Sequence, residues 1–273
     1  MLKRTVSALI ALPAVIFLLW LGGAWTALLV LAVSVMANLE YSRMARDKGM
    51  AHCPVIAIGI SVAYIADAYF TEGSYASFIT VVLLVLAMMR PVILGEPKGA
   101  LAGTASTTFS PLYLGWSLSH AILLRGSSDG AGGFFLVLSL LGLVWMHDTA
   151  ALCFGIATGG RHKIAPNISP KKSLEGSLGG FLTLIALVVF AYPPLEARGL
   201  LPHIGDAGKA LLVISCAICC NYGDLGESAL KRDDGLKDSG TFLPGHGGYL
   251  DRIDSLLLFV PVSFWLLRLL GAI

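Results

Sequence analysis

The sequence predicts an all-α, polytopic integral membrane protein with about nine transmembrane helices, and three observations predict it. Of its 273 residues, 56% are hydrophobic and only 13% charged, against roughly a quarter charged in soluble domains. Apolar runs recur from Thr5 to Ile273, with no polar block between them large enough to fold alone. Lys and Arg are distributed unevenly over the connecting loops, as a fixed membrane topology requires. These features exclude a pair of soluble domains and predict one integral-membrane domain over 1–273.

With about 20 apolar residues per crossing, the spans fall near 5–22, 24–42, 54–70, 75–94, 100–124, 133–157, 175–193, 207–226 and 249–270. The first follows Lys3 and Arg4 and resembles a signal peptide. No small-x-small site closes it, however, and further spans follow, so a retained helix is expected. The second, third and fourth are largely apolar, with Asp67 in the third. The fifth has a polar first half, with Thr104, Ser106, Thr107, Thr108, Ser110 and Pro111. The sixth carries Asp148 inside Trp145-Met146-His147-Asp148-Thr149, and a basic loop leads to the seventh. The eighth contains Cys216, Cys219 and Cys220 and ends in a polar stripe, and the ninth opens on Asp251 and Asp254.

Fifteen of the 19 Lys and Arg fall on one side of these spans; only Arg125, Arg198, Lys209 and Arg268 fall on the other. Positively charged loops stay in the cytoplasm, so the N-terminus is expected there and the C-terminus outside. The net charge of +2 says little about partners. Cys53 and Cys153 are isolated, and the Cys216, Cys219, Cys220 cluster has no second pair to complete a four-ligand zinc site. Helix packing is therefore the expectation for the cluster, and no disulfide framework is read.

Ionisable chemistry concentrates between Gly223 and Ser255. Read as a helix, Asp224, Glu227, Ser228, Lys231 and Arg232 fall at i, i+3, i+4, i+7 and i+8, one face. Such a face would line a cleft with an acidic end for a cation and a basic end for phosphate; a solvated helix end with surface ion pairs is the alternative. Asp251 and Asp254 share a face at the start of the last span, with Arg252 between them. Two carboxylates entering a bilayer are costly unless paired or bound to metal, so metal is expected. His246, in Pro244-Gly245-His246-Gly247-Gly248, is either a phosphate, base or proton-transfer contact or a turn residue bonded locally. The glycines around it suit an anion-binding nest of backbone N–H groups.

Asp148 is a functional candidate because it is an intramembrane carboxylate. The loop after it carries Arg161, His162 and Lys163, then Ser169-Pro170-Lys171-Lys172-Ser173-Leu174-Glu175-Gly176. Topogenic charge attracted to anionic lipid would account equally for that basicity. Asp67, in the third span, has no evident partner and receives no role.

The run from Ser228-Ala-Leu-Lys-Arg, through Lys237-Asp238-Ser-Gly, to Leu243-Pro-Gly-His-Gly-Gly-Tyr-Leu-Asp-Arg-Ile-Asp254 resembles the signature of CDP-diacylglycerol synthases, the phosphatidate cytidylyltransferases. The likeness extends upstream through Gly223-Asp224-Leu225 and the Ser-Pro-Lys-Lys-Ser-Leu-Glu-Gly run. It covers residues 131–273, read as the catalytic helices and loops, while the helices of 1–130 match in general character only. It departs at Ala151-Leu152-Cys153 and Gly155-Ile156-Ala157-Thr158-Gly159, where the family more often has an aromatic residue and a more basic turn.

The resemblance implies transfer of CMP from CTP to phosphatidic acid, giving CDP-diacylglycerol and pyrophosphate for phospholipid synthesis. It implies Mg²⁺ with a second monovalent or divalent ion, held by Asp224 and Asp251, with Asp148 and Asp254 as further ligands or as partners of ligands. Lys231, Arg232, Lys237, Asp238, His246 and Asp254 would carry the catalysis. Ser228, Lys171, Lys172, Gly247, Gly248 and Arg252 would bind substrate. It also implies membrane lipids as surroundings, no nucleic acid partner, a homodimer, and a bacterial inner membrane with the site facing the cytoplasm. Two alternatives remain at this level: a CTP-dependent lipid kinase or a cytidylyltransferase for another lipid, and an ion-coupled transporter using Asp67, Asp148 and Asp224.

Overall fold

The computed structural model describes residues 2–128, 131–233, 235, 239–240 and 247–273, with side chains from Leu12 onward. Helices dominate. In chain order they are α1 (Leu2–Leu21), α2 (Gly23–Asp47), α3 (Pro54–Phe70), α4 (Ala76–Leu94), α5 (Ala100–Ser110), a π-helical segment (Pro111–Trp116), α6 (Ser117–Gly126) and α7 (Ala131–Ala157). Strands β1 (Lys163–Ala165) and β2 (Ser169–Ser173) follow, then α8 (Leu174–Phe190), α9 (Tyr192–Ala197), α10 (Gly205–Asp233) and α11 (Leu250–Leu269).

A helix stands at each of the expected apolar segments. Five described stretches are long and apolar enough to cross a membrane: α2, α4, α7, Leu174–Ala197 and α10. The last helix, α11, is as long as α4 but carries Asp251, Arg252, Asp254 and Arg268.

Two segments depart from the sequence reading. The expected fifth span divides into α5, the π-helical segment and α6, and the change falls at Pro111. A proline inside a helix supplies no N–H and its ring crowds the preceding turn, so the backbone widens there. The basic loop after α7 is an antiparallel hairpin, pairing Lys163 with Ser173 and Ala165 with Ser169 across a bulge. Strands of three and five residues are too short to show an alternating pattern. Its base is closed by Leu174 N donating to His162 O at 2.8 Å and by His162 Nδ1 lying 2.7 Å from Glu175 Oε1. Ser173 then caps α8, its Oγ accepting from Gly176 N at 3.2 Å, a bond that satisfies one of the unpaired N–H groups of the first turn.

The chain divides into two compact units, Met1–Leu123 with Asp233–Arg252, and Leu124–Arg232 with Ile253–Ile273. In the first, Ile60, Tyr64 and Leu83 form an apolar core, and Tyr64 Oη lies 2.7 Å from Thr80 Oγ1. Asn38, fully buried, ties three helices together. Its Nδ2 donates to Ser34 O at 2.9 Å and Ser61 Oγ at 3.1 Å, while its Oδ1 accepts from Ser110 Oγ at 2.6 Å. Asp67 is not without partners, contrary to the sequence reading. It is buried and accepts from Thr71 Oγ1 and from Tyr75 N, the latter at 3.0 Å, so it closes the end of α3 onto the following turn.

The second unit is built from α7, the hairpin, α8, α9, α10 and most of α11. There α10 and α11 meet so closely at Gly223 that a Cβ would stand 2.7 Å from Asp254 O and 2.9 Å from Ser255 Cα. Glycine is the residue that permits this approach, which is the usual reason for small residues between membrane helices.

In the loop between α2 and α3, His52 is buried between Ser42 Oγ at 2.9 Å and Ser106 Oγ at 3.2 Å, with its ring edge-on to Tyr41. Burial, reinforced by the Arg90 charge and opposed by a bond to Ser106, lowers its pKa to about 4. The folded chain therefore keeps this imidazole neutral where an unfolded chain begins to protonate it, below roughly pH 6.5. Stability from His52 should be complete above that pH and fall progressively as the pH drops towards 4. Thermal unfolding in detergent between pH 7.5 and 4.5 should show a shallower acid loss for His52→Gln than for the unsubstituted chain; equal slopes would contradict this.

Candidate active site

The second unit gathers three carboxylates from three helices. Asp148 projects from α7, Asp224 from α10 and Asp254 from the first turns of α11, and the negative charges of Asp224 and Asp148 act on Asp254, opposed by the Lys172 ammonium. The hairpin delivers that ammonium. Lys172 Nζ lies 2.8 Å from Asp224 Oδ2 and donates to Asn221 O at 3.2 Å. Asn221 is itself held by Ser177 Oγ, which donates to its Oδ1 at 2.5 Å. Ser228 donates to Asp224 Oδ1 at 3.1 Å, one turn along the same helix. Both oxygens of Asp224 are thereby oriented, and its side chain stays 39% exposed. Such a carboxylate is accessible to a cation or to an anionic ligand's counter-ion, with a lysine beside it for phosphate.

The helical face read from Asp224 to Arg232 is indeed part of α10, but its members are used differently. Glu227 is fully buried and pairs with Lys231, Nζ to Oε2 at 2.5 Å, so the positive charge of Lys231 is balanced locally. Breaking a buried pair by removing one partner leaves an uncompensated charge. Arg232 is exposed and donates from Nε to Ile168 O at 3.3 Å in the hairpin turn. Lys171 is exposed on the neighbouring strand.

In the first unit, Asp251 lies at the start of α11 and works as a tether. Its Oδ2 accepts from Gly248 N at 2.8 Å, Ser239 N at 3.1 Å and Ser239 Oγ at 3.0 Å. Gly247 has a positive φ of 79°, a conformation that suits glycine. Gly248 is buried, and a side chain there would strike Ser239 and Glu40. Arg252 is exposed and makes a backbone bond to Tyr249 O at 3.0 Å. Lys237, Asp238 and His246 lie outside the described residues.

Sequence reasoning missed Glu40. This buried carboxylate of α2 accepts from Tyr249 N at 2.9 Å, Leu250 N at 3.0 Å and Ser239 Oγ at 3.2 Å. It thus caps the N-terminus of α11, where unpaired N–H groups and the helix dipole both favour a negative charge. The available signal was a lone acidic residue inside an apolar run, which merits attention in any membrane span.

These features define a helical membrane protein whose second unit presents a carboxylate cluster with lysine beside it. The chain belongs to the cytidylyltransferase family, whose model matches residues 2–270, and is therefore a nucleotidyltransferase. It is 37% identical over 217 residues to the uncharacterized protein YnbB of Escherichia coli (strain K12), a match spanning 77% of this chain and 69% of that one. It is 31% identical over 276 residues to a phosphatidate cytidylyltransferase of Brucella suis biovar 1, covering 99% of this chain and 93% of the relative. A phosphatidate cytidylyltransferase of Haemophilus influenzae is 32% identical over 281 residues, 95% of this chain and 96% of its own length. The resemblance read from the final loop is borne out, and it reaches the N-terminal helices as well.

Glu40→Ala would take the carboxylate acceptor from Tyr249 N and Leu250 N, a loss of about 1–3 kcal/mol for each group left unsatisfied, while Ser239 Oγ keeps Asp251 Oδ2. A clear fall in thermal stability is expected, with Glu40→Gln intermediate because one amide oxygen still accepts. Melting curves in detergent check this; an unchanged midpoint for Glu40→Ala would rule out the capping role.

Proposed function

We propose that this chain is a phosphatidate cytidylyltransferase, which joins CTP and phosphatidic acid to give CDP-diacylglycerol and pyrophosphate at the membrane. The observation that carries the reading is the convergence of Asp148, Asp224, Asp254 and Lys172 in one unit of a chain in the cytidylyltransferase family. The names of the Brucella and Haemophilus relatives supply the lipid substrate.

The reaction brings together two anions that repel, so charge must be neutralised where they meet. Carboxylate oxygens suit a hard divalent cation, and Asp148, Asp224 and Asp254 supply them. Asp251, which the resemblance also offered as a ligand, holds Ser239 and Gly248 through its Oδ2 in the first unit. Mg²⁺ held by Asp148, Asp224 and Asp254 would draw charge from the phosphates and polarise the α-phosphorus.

The chain's own residues do the rest. Lys172 is held beside Asp224 by Asn221 and Ser177, so its ammonium is ready for a phosphate oxygen without a costly search of rotamers. Ser228 fixes the Asp224 carboxylate. Lys171 and Arg232, both exposed, contact the triphosphate or the lipid phosphate. Lys231 keeps the local charge balanced with Glu227. In the first unit the Gly248 N–H is already given to Asp251 Oδ2, so an anion-binding role there falls to Gly247, with Asp238 and His246 as the further contacts that the resemblance implies. A phosphatidate oxygen attacks the α-phosphorus, a new P–O bond forms, and the bond to the β-phosphate breaks as pyrophosphate leaves. The attacking phosphate is already largely deprotonated near neutral pH, so the reaction requires neither a serine or cysteine nucleophile nor a strong base. The charge bias of the loops supports a cytoplasmic site, with the N-terminus on that side and the C-terminus outside; the bacterial inner membrane and a homodimer follow from the resemblance alone.

Purified protein in detergent, given phosphatidic acid, α-labelled CTP and Mg²⁺, should pass label into lipid and release pyrophosphate in equal amount, and EDTA should stop it. Asp224→Asn and Asp254→Asn should each cut this rate about 100-fold or more while the helical signal and melting midpoint survive. Release of CDP in place of pyrophosphate would replace the reading with a lipid kinase. Full activity in either variant would remove that carboxylate from the site.

A further inference from the structure

One cluster in the second unit shares only Asp148 with the reaction above. His147, Asp148 and Cys220 each offer a ligand atom within 4.8 Å of the other two. The first two come from α7 and the third from α10, so neither helix alone reveals the set. His147 is 2% exposed and Cys220 is fully buried, whereas the Asp148 side chain is 50% exposed and gives a path from outside. His147 Nδ1 lies 3.0 Å from Asp148 Oδ1. The rest of the imidazole is enclosed, and its polar neighbour across the two helices is the Cys220 thiol, so nitrogen and sulfur already face each other. Gly180 lets α8 pack closely on this ring, since a Cβ there would come within 2.8 Å of Nε2.

We propose that His147, Asp148 and Cys220 form a binding site for a thiophilic divalent cation of the Zn²⁺ type. The donor chemistry differs from that suited to Mg²⁺. One thiolate, one imidazole and one carboxylate match the preferences of zinc and its neighbours, and leave a fourth tetrahedral position for water or another ligand. With Cys220 as thiolate, its proton released on binding, and Asp148 ionised, two negative charges balance the cation, so the buried site is neutral overall. Cys216 Sγ, 3.8 Å from Cys220 Sγ, adds a polarisable neighbour but is not required. The inference does not rest on the proposed reaction. Asp148 is the one residue shared with the Mg²⁺ carboxylates, so occupation by a thiophilic ion would compete for it.

Co²⁺ is a suitable probe, because a thiolate ligand gives it an ultraviolet charge-transfer band. The untagged full chain in detergent, with the partly buried Cys53 and exposed Cys153 both changed to Ser, would be titrated with Co²⁺ in the presence of excess Mg²⁺. Expected are one Co²⁺ per chain with the charge-transfer band, and its displacement by Zn²⁺. The band should vanish in both Cys220→Ala and Cys220→Ser and persist in Cys216→Ala, and His147→Leu should weaken binding at least about tenfold. Circular dichroism of each variant checks that the helices remain. No band in the parent chain, a band that survives loss of Cys220, or affinity untouched by His147→Leu would each overturn the site. Because the readout is metal binding, a failed cytidylyltransferase assay leaves it standing, and the converse also holds.

Discussion

A polar side chain placed among apolar helices costs several kcal/mol unless it finds a partner, and the partners this chain provides organise everything else. In the first unit Asn38 links α2, α3 and α5 through three hydrogen bonds, and Asp67 seals the end of α3. Glu40 answers the exposed N–H groups where α11 begins. In the second unit Glu227 and Lys231 neutralise each other, and Lys172 stands against Asp224. Each contact satisfies a group that would otherwise exclude its helix from the bilayer interior.

The same constraint converts architecture into chemistry. Carboxylates whose charges act on one another, as those of Asp148, Asp224 and Asp254 do, remain ionised together only when positive charge is near. Lys172 supplies part of it, carried into place by a short hairpin that is closed at its base by His162 and Glu175. The remaining demand for positive charge is what makes the cluster suited to a divalent cation and to the phosphates that accompany it. Asp251 and Asp254 sit on one helix yet have different surroundings: the first tethers Ser239 and Gly248, and the second faces the acidic cluster.

The donors of this region also sort by hardness. The carboxylate oxygens of Asp224 and Asp254 are hard donors, whereas His147 and Cys220 place nitrogen and sulfur beside Asp148. Asp148 therefore has two kinds of donor for neighbours. The close approach of Gly223 to α11 holds the second unit's helices near enough for these groups to share a neighbourhood.

Periodicity and composition by themselves determined the helical segments, because twenty-residue apolar runs have no other stable form in lipid. The Asp224 to Arg232 face and the Asp251, Asp254 pair were equally legible, since side chains three or four residues apart on a helix are neighbours by geometry alone. What only the tertiary structure decided were contacts across long stretches of chain. Glu40 reaches Leu250, Lys172 reaches Asp224, and His147 stands beside Cys220, pairs that no local pattern encodes. The hairpin escaped the sequence reading because strands so short carry no period, and the π-helical turn because Pro111 reads as a break until neighbouring helices show how the backbone accommodates it. Local spacing fixes which residues share a face, and packing fixes which faces meet.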